Sequence, residues 1–160
     1  VGLQRSIAEG YVRLGDWAKV SQIYGTLVKD NPNDGVLSTR LLDAYMLNKK
    51  YEAVINILEP RVAANPNDIA GSDILAHAYV GAQKTDEAVA LYKQRIAKEP
   101  NSPGLRGRYA QALLDLGMLD ESLAEWSTAF QLDPQNLLFK QRMGEIYMQT
   151  GRTKEAFKNS

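Results

Sequence analysis

His77 is the only histidine of the chain, and the chain contains no cysteine. A Ser-His-acid triad would therefore have to use His77, and there is no cluster of His and Cys that could bind a transition metal. The lack of cysteine also excludes disulfides and cysteine nucleophiles, and no glycine-rich phosphate loop is present. We expect an interaction protein with no enzymatic activity, no catalytic residues, no cofactor and no metal site, and we interpret His77 as a surface or ligand-contacting side chain.

Several charged residues could also take part in chemistry, but structural roles account for them. Asp86-Glu87 and Asp120-Glu121 are carboxylate pairs at the start of predicted helices, where negative charge offsets the helix dipole. Three arginines occupy equivalent positions of the repeat described below and could bind carboxylates by paired hydrogen bonds: Arg40, Arg108 and Arg142. We favour the alternative interpretation, in which these arginines form ion pairs with acidic residues of neighbouring repeats.

The overall charge argues against two classes of partner. Lys and Arg total 19 and Asp and Glu total 19, so the formal net charge is zero. A dedicated nucleic-acid binder usually carries a basic excess, and we therefore expect no nucleic-acid partner. No apolar run approaches the roughly 18 residues that a membrane span needs, and we expect no direct insertion into a membrane. We favour a soluble protein in an intracellular or organellar compartment, and a periplasmic location stays open.

Four prolines recur every 34 residues: Pro32, Pro66, Pro100 and Pro134. They lie in the related segments NPND, NPND, EPNS and DPQN, and a fixed period of this length indicates an array of supersecondary repeats. The prolines divide the chain into 1–34, 35–68, 69–102, 103–136 and a partial repeat, 137–160. The chain begins without Met and stops inside a predicted helix. We therefore expect residues 1–160 to form a single array within a longer protein.

Each repeat predicts two amphipathic helices separated by a turn. The first helix carries two apolar columns four residues apart, and this spacing places them on one stripe: Ile7, Leu41, Leu75, Tyr109, Met143 and then Tyr11, Tyr45, Tyr79, Leu113, Tyr147. The second helix carries a column of mostly small residues: Val20, Val54, Ala88, Ser122 and Ala156. Pro60 lies inside a second helix, and we expect it to bend or shorten that helix.

The turn between the two helices has one critical position. Gly15, Gly117 and Gly151 occupy it in three repeats, where a helix ends in a left-handed conformation that glycine adopts easily. Lys49 and Gln83 occupy the same position in the other two repeats. We expect those two turns to be less favourable or slightly different.

Two helices per 34 residues, with Tyr, a small residue, an aromatic residue and Pro in this order, resemble the tetratricopeptide repeat (TPR) family along the whole chain. The early aromatic position of the family is held instead by polar residues: Gln4, Ser38, Ser72, Arg106 and Lys140. The resemblance implies an all-α fold, a right-handed α-solenoid (TPR superhelix) of antiparallel helix pairs. It also implies that the first helices line a concave inner groove.

We call the residues of the first helices that the resemblance places in this groove the groove face. They are Arg5, Glu9, Val12, Thr39, Asp43, Met46, Leu47, Asp73, His77, Val80, Gln111, Leu114, Asp115, Glu145 and Met148. One apolar column runs through it: Val12, Met46, Val80, Leu114 and Met148. This column predicts binding of an apolar or amphipathic peptide. The alternative, in which the column packs against the next first helix, stays open.

The charged residues of the groove are mainly acidic. Five acids face two bases, Arg5 and Arg13; the acids are Glu9, Asp43, Asp73, Asp115 and Glu145. A partner with basic character is favoured. Co-chaperone TPR domains bind a terminal carboxylate through a Lys/Asn/Arg set that this sequence lacks. Glu9 and Asp43 stand where amides would be needed, and Ala70 where a Lys would be.

The sequence thus predicts a protein–protein interaction scaffold or adaptor without turnover. Its partner would be a protein or peptide, such as an amphipathic or basic helix bound in the groove, in the assembly of a multiprotein complex. One alternative is a substrate-docking or regulatory TPR arm of a larger enzyme. A homo-oligomer formed through the open terminal helices is a further alternative, whereas the acidic groove argues against RNA binding.

Overall fold

The computed structural model describes residues 2–151, and this part of the chain contains nine α-helices and no strand. Helices of 13 and 14 residues alternate along it. The helices are α1 (Gly2–Leu14), α2 (Trp17–Asp30), α3 (Gly35–Leu47), α4 (Tyr51–Ala64), α5 (Ile69–Gly81), α6 (Thr85–Lys98), α7 (Pro103–Asp115), α8 (Leu119–Leu132) and α9 (Leu137–Gln149). The odd-numbered helices are the first helices of the repeats, and the even-numbered helices are the second helices.

The chain divides into two compact units, Val1–Ala82 and Gln83–Ser160, which we call the N-terminal and the C-terminal unit. The N-terminal unit contains α1 to α5, and the C-terminal unit contains α6 to α9. Inside each unit, consecutive helices pack against each other. Short connections force neighbouring helices to run antiparallel, so each unit is a series of helical hairpins.

The proline-containing loops start the first helices through side-chain caps. Asp34 accepts hydrogen bonds from the amides of Val36 and Leu37, and Asp68 accepts one from Gly71. Ser102 and Asn136 cap α7 and α9 in the same way. A capping oxygen of this kind satisfies an amide that the helix itself leaves unpaired, and it stabilises the helix by about 1 kcal/mol.

The turn inside each hairpin has the same left-handed conformation in all five repeats. Gly15, Gly117 and Gly151 have φ of 71°, 79° and 77°. Lys49 and Gln83 have φ of 58° and 60°, so a residue with a Cβ adopts the strained conformation at these two turns. These two turns therefore keep the backbone geometry of the glycine turns. Backbone strain makes them less favourable, as expected.

Pro60 does not shorten its helix. α4 has 14 residues, as do α2, α6 and α8, and it continues through Pro60 to Ala64. Of the two effects expected of Pro60, a bend or a shortening of its helix, the shortening does not occur. Tertiary packing explains this result, because Val54, Ile55, Leu58 and Val62 of α4 are all buried and hold the helix on both sides of the proline.

The repeat columns form the cores. In the N-terminal unit the first hairpin and α3 share one cluster: Ala8, Val20, Tyr24, Leu27, Leu37, Leu41 and Ala44. In the C-terminal unit α7, α8 and α9 share another: Ala110, Trp126, Ala129, Phe139, Met143, Ile146 and Tyr147. Ser122 belongs to the small-residue column and is fully buried, and its hydroxyl donates to the Ala110 carbonyl of the facing helix at 2.6 Å. Ala156, predicted for the same column, lies outside the described residues.

Candidate functional site

No residue of the groove face is buried. The exposed members are Glu9, Val12, Thr39, Asp43, Leu47, His77, Asp115, Glu145 and Met148. The half-buried members are Arg5, Met46, Asp73, Val80, Gln111 and Leu114. The side chains predicted to meet a partner therefore all reach the surface.

Two carboxylates of the N-terminal unit stand out because they are unpaired. Glu9 on α1 and Asp43 on α3 are exposed, and neither has a hydrogen-bond or ion-pair partner among the described residues. Arg5, which the sequence placed opposite these acids, instead donates to Asp34 Oδ2 at 3.2 Å. Arg5 thus supports the capped start of α3, and the acidic character of this part of the groove face is greater than the residue count indicates.

A broad open cavity of about 800 Å³ lies beside the first turns of α3. Its lining contains two predicted groove residues, Thr39 and Asp43, and further residues of the loop and the helix: Asn33, Asp34, Gly35, Val36 and Arg40. Val36 was not among the residues predicted from the sequence. In the structure its side chain is 58% exposed. The available signal was an apolar residue at the second position of a helix that begins directly after the capping residue Asp34.

Apolar residues of the groove face in the N-terminal unit also reach solvent. Leu47 is 55% exposed and Val12 is 38% exposed, while Met46 is half-buried. Exposed apolar side chains next to unpaired carboxylates form an amphipathic surface. Such a surface suits a ligand that has both apolar and cationic groups.

His77 makes one contact that fixes its ring. Its Nδ1 lies 2.7 Å from the Asp73 carbonyl oxygen of the preceding helical turn. The side chain itself is exposed on α5. This geometry agrees with the interpretation of His77 as a surface side chain.

The corresponding polar residues of the C-terminal unit bond to one another. Gln111 Nε2 donates to Asp115 Oδ1 at 3.0 Å, and Gln141 Nε2 donates to Glu145 Oε1 at 3.1 Å. Arg142 Nη1 forms an ion pair with Glu145 Oε2 at 3.1 Å. Arg142 therefore pairs within its own helix, and the ion pair with a neighbouring repeat that we expected from the sequence is not the one observed.

One residue of the apolar column in the C-terminal unit belongs to the core packing. Leu114 is half-buried and packs against the core cluster of α7, α8 and α9. Gly107 occupies the position held by Thr39 in α3, and it is buried. A Cβ at Gly107 would lie 3.1 Å from Phe139 Cε1 and 3.3 Å from Trp126 Cζ3. This part of the groove-face stripe therefore contributes to packing.

In the fourth repeat, Arg106 of α7 occupies the position where the family has an early aromatic residue, and it forms an ion pair with α8. Arg106 Nη1 lies 3.1 Å from Glu125 Oε2, and both side chains are only 20% exposed. The guanidinium also donates to the Pro100 carbonyl. Next to it, burial raises the pKa of Tyr109 above its usual 10.0, and the charges of Glu125 and Glu121 raise it further while Arg106 opposes them.

Two kinds of site are absent from residues 2–151. No group of three or more His, Cys, Asp or Glu side chains in this range could hold a metal ion. Within the same range, every helix is too short or too polar to cross a membrane.

Comparison with known proteins agrees with the repeat pattern. A family model described as a tetratricopeptide repeat matches residues 79–129. Among solved structures, MamA from Desulfovibrio magneticus RS-1 (residue 41 to the end) superposes with a TM-score of 0.69 at 16% identity, over 99% of this chain and 89% of that chain. MamA designated MSR-1 C2 superposes with a TM-score of 0.62 at 24% identity, over 98% and 90%. A comparison with curated proteins finds no match.

The resemblance to the tetratricopeptide repeat family is confirmed. The predicted all-α solenoid of antiparallel helix pairs is confirmed with it, because the MamA structures share the fold over nearly the whole chain. At these identities the likeness concerns the fold. The single array over 1–160 and the groove residues stay predictions, and the open helix predicted at the C-terminal end lies outside the described residues.

Proposed function

We propose that this TPR protein is a non-enzymatic scaffold that takes part in assembling a multiprotein complex. Its partner is a protein or peptide segment that forms an amphipathic helix with basic residues. The contact surface is the groove face of the N-terminal unit, on α1, α3 and α5. Helical repeat proteins commonly use such faces as extended binding surfaces.

The observation that supports this proposal most strongly is the pair of unpaired carboxylates, Glu9 and Asp43, beside exposed apolar side chains. A cationic side chain that approaches them competes with no internal hydrogen bond. Val12 and Leu47 supply apolar area that loses water when a partner helix binds, at about 25 cal/mol per Å². The two carboxylates then attract a positively charged partner and disfavour a negatively charged one, while the apolar residues supply most of the affinity.

A binding experiment with a defined peptide tests the proposal. The probe is an 18-residue amphipathic Leu/Lys helix with a fluorophore, and anisotropy reports its binding to the protein. We expect saturable binding that weakens with added salt. Met46→Glu should reduce the affinity by about tenfold or more, since it places a charge in the apolar column.

Two controls distinguish binding in the groove from nonspecific binding of the peptide. The first is a peptide of the same composition with a scrambled pattern, which should bind much more weakly. The second is Leu137→Glu, which alters an exposed apolar residue outside the groove face and should leave the affinity unchanged. Equal loss of binding in Met46→Glu and Leu137→Glu, with helicity intact by circular dichroism, contradicts the proposal.

A further inference from the structure

Asp34 and Gly35 form the only Asp-Gly pair of the chain, and the sequence contains no Asn-Gly pair. An Asp-Gly pair can rearrange spontaneously, because the amide nitrogen of the glycine can attack the side-chain carboxyl carbon of the aspartate. Glycine permits this attack best, since it has no side chain that would crowd the new ring. The pair lies at the start of α3, where Asp34 is the capping residue and Gly35 is the first residue of the helix.

The rearrangement converts aspartate into isoaspartate in two balanced steps. In the first step the bond between the Gly35 nitrogen and Asp34 Cγ forms, and one carboxyl oxygen leaves as water with the acid proton and the amide proton. In the second step water opens the resulting ring imide. Opening at the former main-chain carbonyl gives isoaspartate, whose main chain runs through Cβ and Cγ and is longer by one methylene group. The reaction needs no oxidant, reductant or further reactant.

The Gly35 amide is accessible for this attack. It belongs to the first residue of α3, whose N–H group has no partner inside the helix. The hydrogen bonds that Asp34 accepts come from the next two amides, those of Val36 and Leu37. The space around Gly35 is open, since a Cβ built on it would meet no atom within 4 Å. The open cavity beside α3 is lined in part by Asp34 and Gly35, so water reaches the ring for the second step.

The Asp34 carboxylate, by contrast, is held in place by hydrogen bonds. Its Oδ1 accepts from the amides of Val36 and Leu37 at 3.1 and 3.2 Å, and its Oδ2 accepts from Arg5 Nη2 at 3.2 Å. Ring formation removes one carboxyl oxygen and turns Cγ toward the Gly35 nitrogen, so these hydrogen bonds have to break. Each of them therefore raises the barrier to the reaction. Arg5 is the only one of these three donors that comes from another helix.

We propose that Asp34-Gly35 is a site of spontaneous isomerisation, and that Arg5 slows the reaction in the folded protein by holding the carboxylate. Isoaspartate at position 34 removes the cap of α3 and the ion pair with Arg5, because the longer main chain displaces the carboxylate from the helix start. Aged protein thus loses the capped start of the helix that carries Asp43 and Leu47. The proposal rests on the chemistry of this pair and does not depend on the proposed function.

Asp68 provides a matched control within the same chain. It caps α5 as Asp34 caps α3, by accepting a hydrogen bond from the Gly71 amide, and its Oδ2 lies 3.0 Å from Arg61 Nε. The residue that follows it is Ile69, whose branched side chain crowds the nitrogen that would have to attack. The two aspartates thus share a capping role and an ion pair with arginine, and they differ in the residue that follows.

Peptide mapping of aged protein tests the proposal. The protein is kept warm at neutral pH for several weeks and digested with an endoproteinase that cleaves before aspartate and not before isoaspartate. We expect isoaspartate at position 34 and only background at Asp68, with a faster reaction at position 34 when the chain is unfolded in urea. Arg5→Ala should accelerate the reaction in the folded protein by about threefold, the change that the loss of one exposed ion pair implies.

Gly35→Val separates the chemistry of the pair from the stability of the fold. The repeat accommodates a β-branched residue here, since Ile69 is the first residue of α5. We expect ageing to lower the urea midpoint of the fully isomerised original chain by about 0.5 M, as loss of a cap implies, and to leave that of Gly35→Val unchanged. The proposal is overturned by equal isoaspartate at positions 34 and 68, by equal rates in Arg5→Ala and the original chain, or by an equal loss in Gly35→Val.

Discussion

In the N-terminal unit, Glu9 and Asp43 of the groove face are exposed and have no partner among the described residues, whereas in the C-terminal unit the groove-face acids Asp115 and Glu145 accept hydrogen bonds. Leu114 belongs to the apolar column, and it packs against the core of its unit. Residues of the groove face thus serve packing and internal bonding in the C-terminal unit. In the N-terminal unit the carboxylates of Glu9 and Asp43 remain available to a partner.

This difference shows that a repeat position does not determine the use of its side chain. The hydrogen bonds in the C-terminal unit are at the surface, and each contributes only a few tenths of a kcal/mol. They still hold their carboxylates in place, so a ligand gains less from approaching them. Four predictions test the comparison, beginning with the largest expected effect.

Exchanging the residues at one position of the two units should have unequal effects. We expect Gly107→Thr to lower the free energy of unfolding by about 1–3 kcal/mol, because its Cβ and hydroxyl would crowd the rings of Phe139 and Trp126. The reverse change, Thr39→Gly, should cost less than about 1 kcal/mol, the usual loss of helix propensity. Urea unfolding measures both, and similar losses at the two positions would contradict the comparison.

Two leucines of the groove face, one in each unit, should show a smaller difference of the same kind. We expect Leu114→Ala to cost about 1–2 kcal/mol, since the side chain is half-buried against the core. Leu47→Ala should stay within about 0.5 kcal/mol because Leu47 is 55% exposed. Chemical denaturation compares the two, and a cost at Leu47 as large as at Leu114 would show that Leu47 serves packing.

The turns should behave alike in both units. We expect Lys49→Gly and Gln83→Gly each to raise the free energy of unfolding by roughly 1 kcal/mol, because glycine adopts a φ near 60° without the clash of a Cβ. Gly15→Ala is the matched control and should lower it by a similar amount. A loss of stability in both glycine variants would mean that Lys49 and Gln83 make contacts that outweigh the strain.

The smallest effect concerns pH and Tyr109 of the C-terminal unit. Its pKa is raised in the folded protein, chiefly by burial, so above pH 10.0 the unfolded chain releases this proton first. The stability contributed by neutral Tyr109 is complete below pH 10.0 and is lost as the pH rises toward the folded-state pKa. Tyr109→Phe should therefore flatten the decrease in stability above pH 10, measured by thermal unfolding. An unchanged slope would contradict the cause given for the shift.

Much of the fold could be predicted from the sequence because the repeat is regular. The prolines every 34 residues and the apolar columns gave the helix pairs and the turn positions. The full length of the helix around Pro60 could not be predicted, because propensity is local, whereas burial of Leu58 and Val62 on both sides of the proline is tertiary. The conformation of Lys49 and Gln83 followed the repeat and not the residue type.

The candidate site was less predictable. Exposure of the groove-face positions could be inferred from helical spacing alone. The pairing of Arg5 with Asp34 depends on a loop that folds back toward α1, and the packing of Leu114 depends on α8 and α9. Both are tertiary contacts, so they cannot be predicted from the residue pattern of a single helix. Leu3 and Ile7 likewise look like core residues in the sequence, and only the structure shows that nothing in the described chain covers them.

Mapping the bound peptide on the protein by NMR is the most direct test of the central claim. The amphipathic Leu/Lys helix is titrated into ¹⁵N-labelled protein, and amide shift changes are followed in all described helices. The account predicts the largest changes on α1, α3 and α5, around Glu9, Asp43 and Leu47, with Asp43→Asn reducing them. Equal or larger changes around Gln111, Leu114 and Glu145 would contradict it.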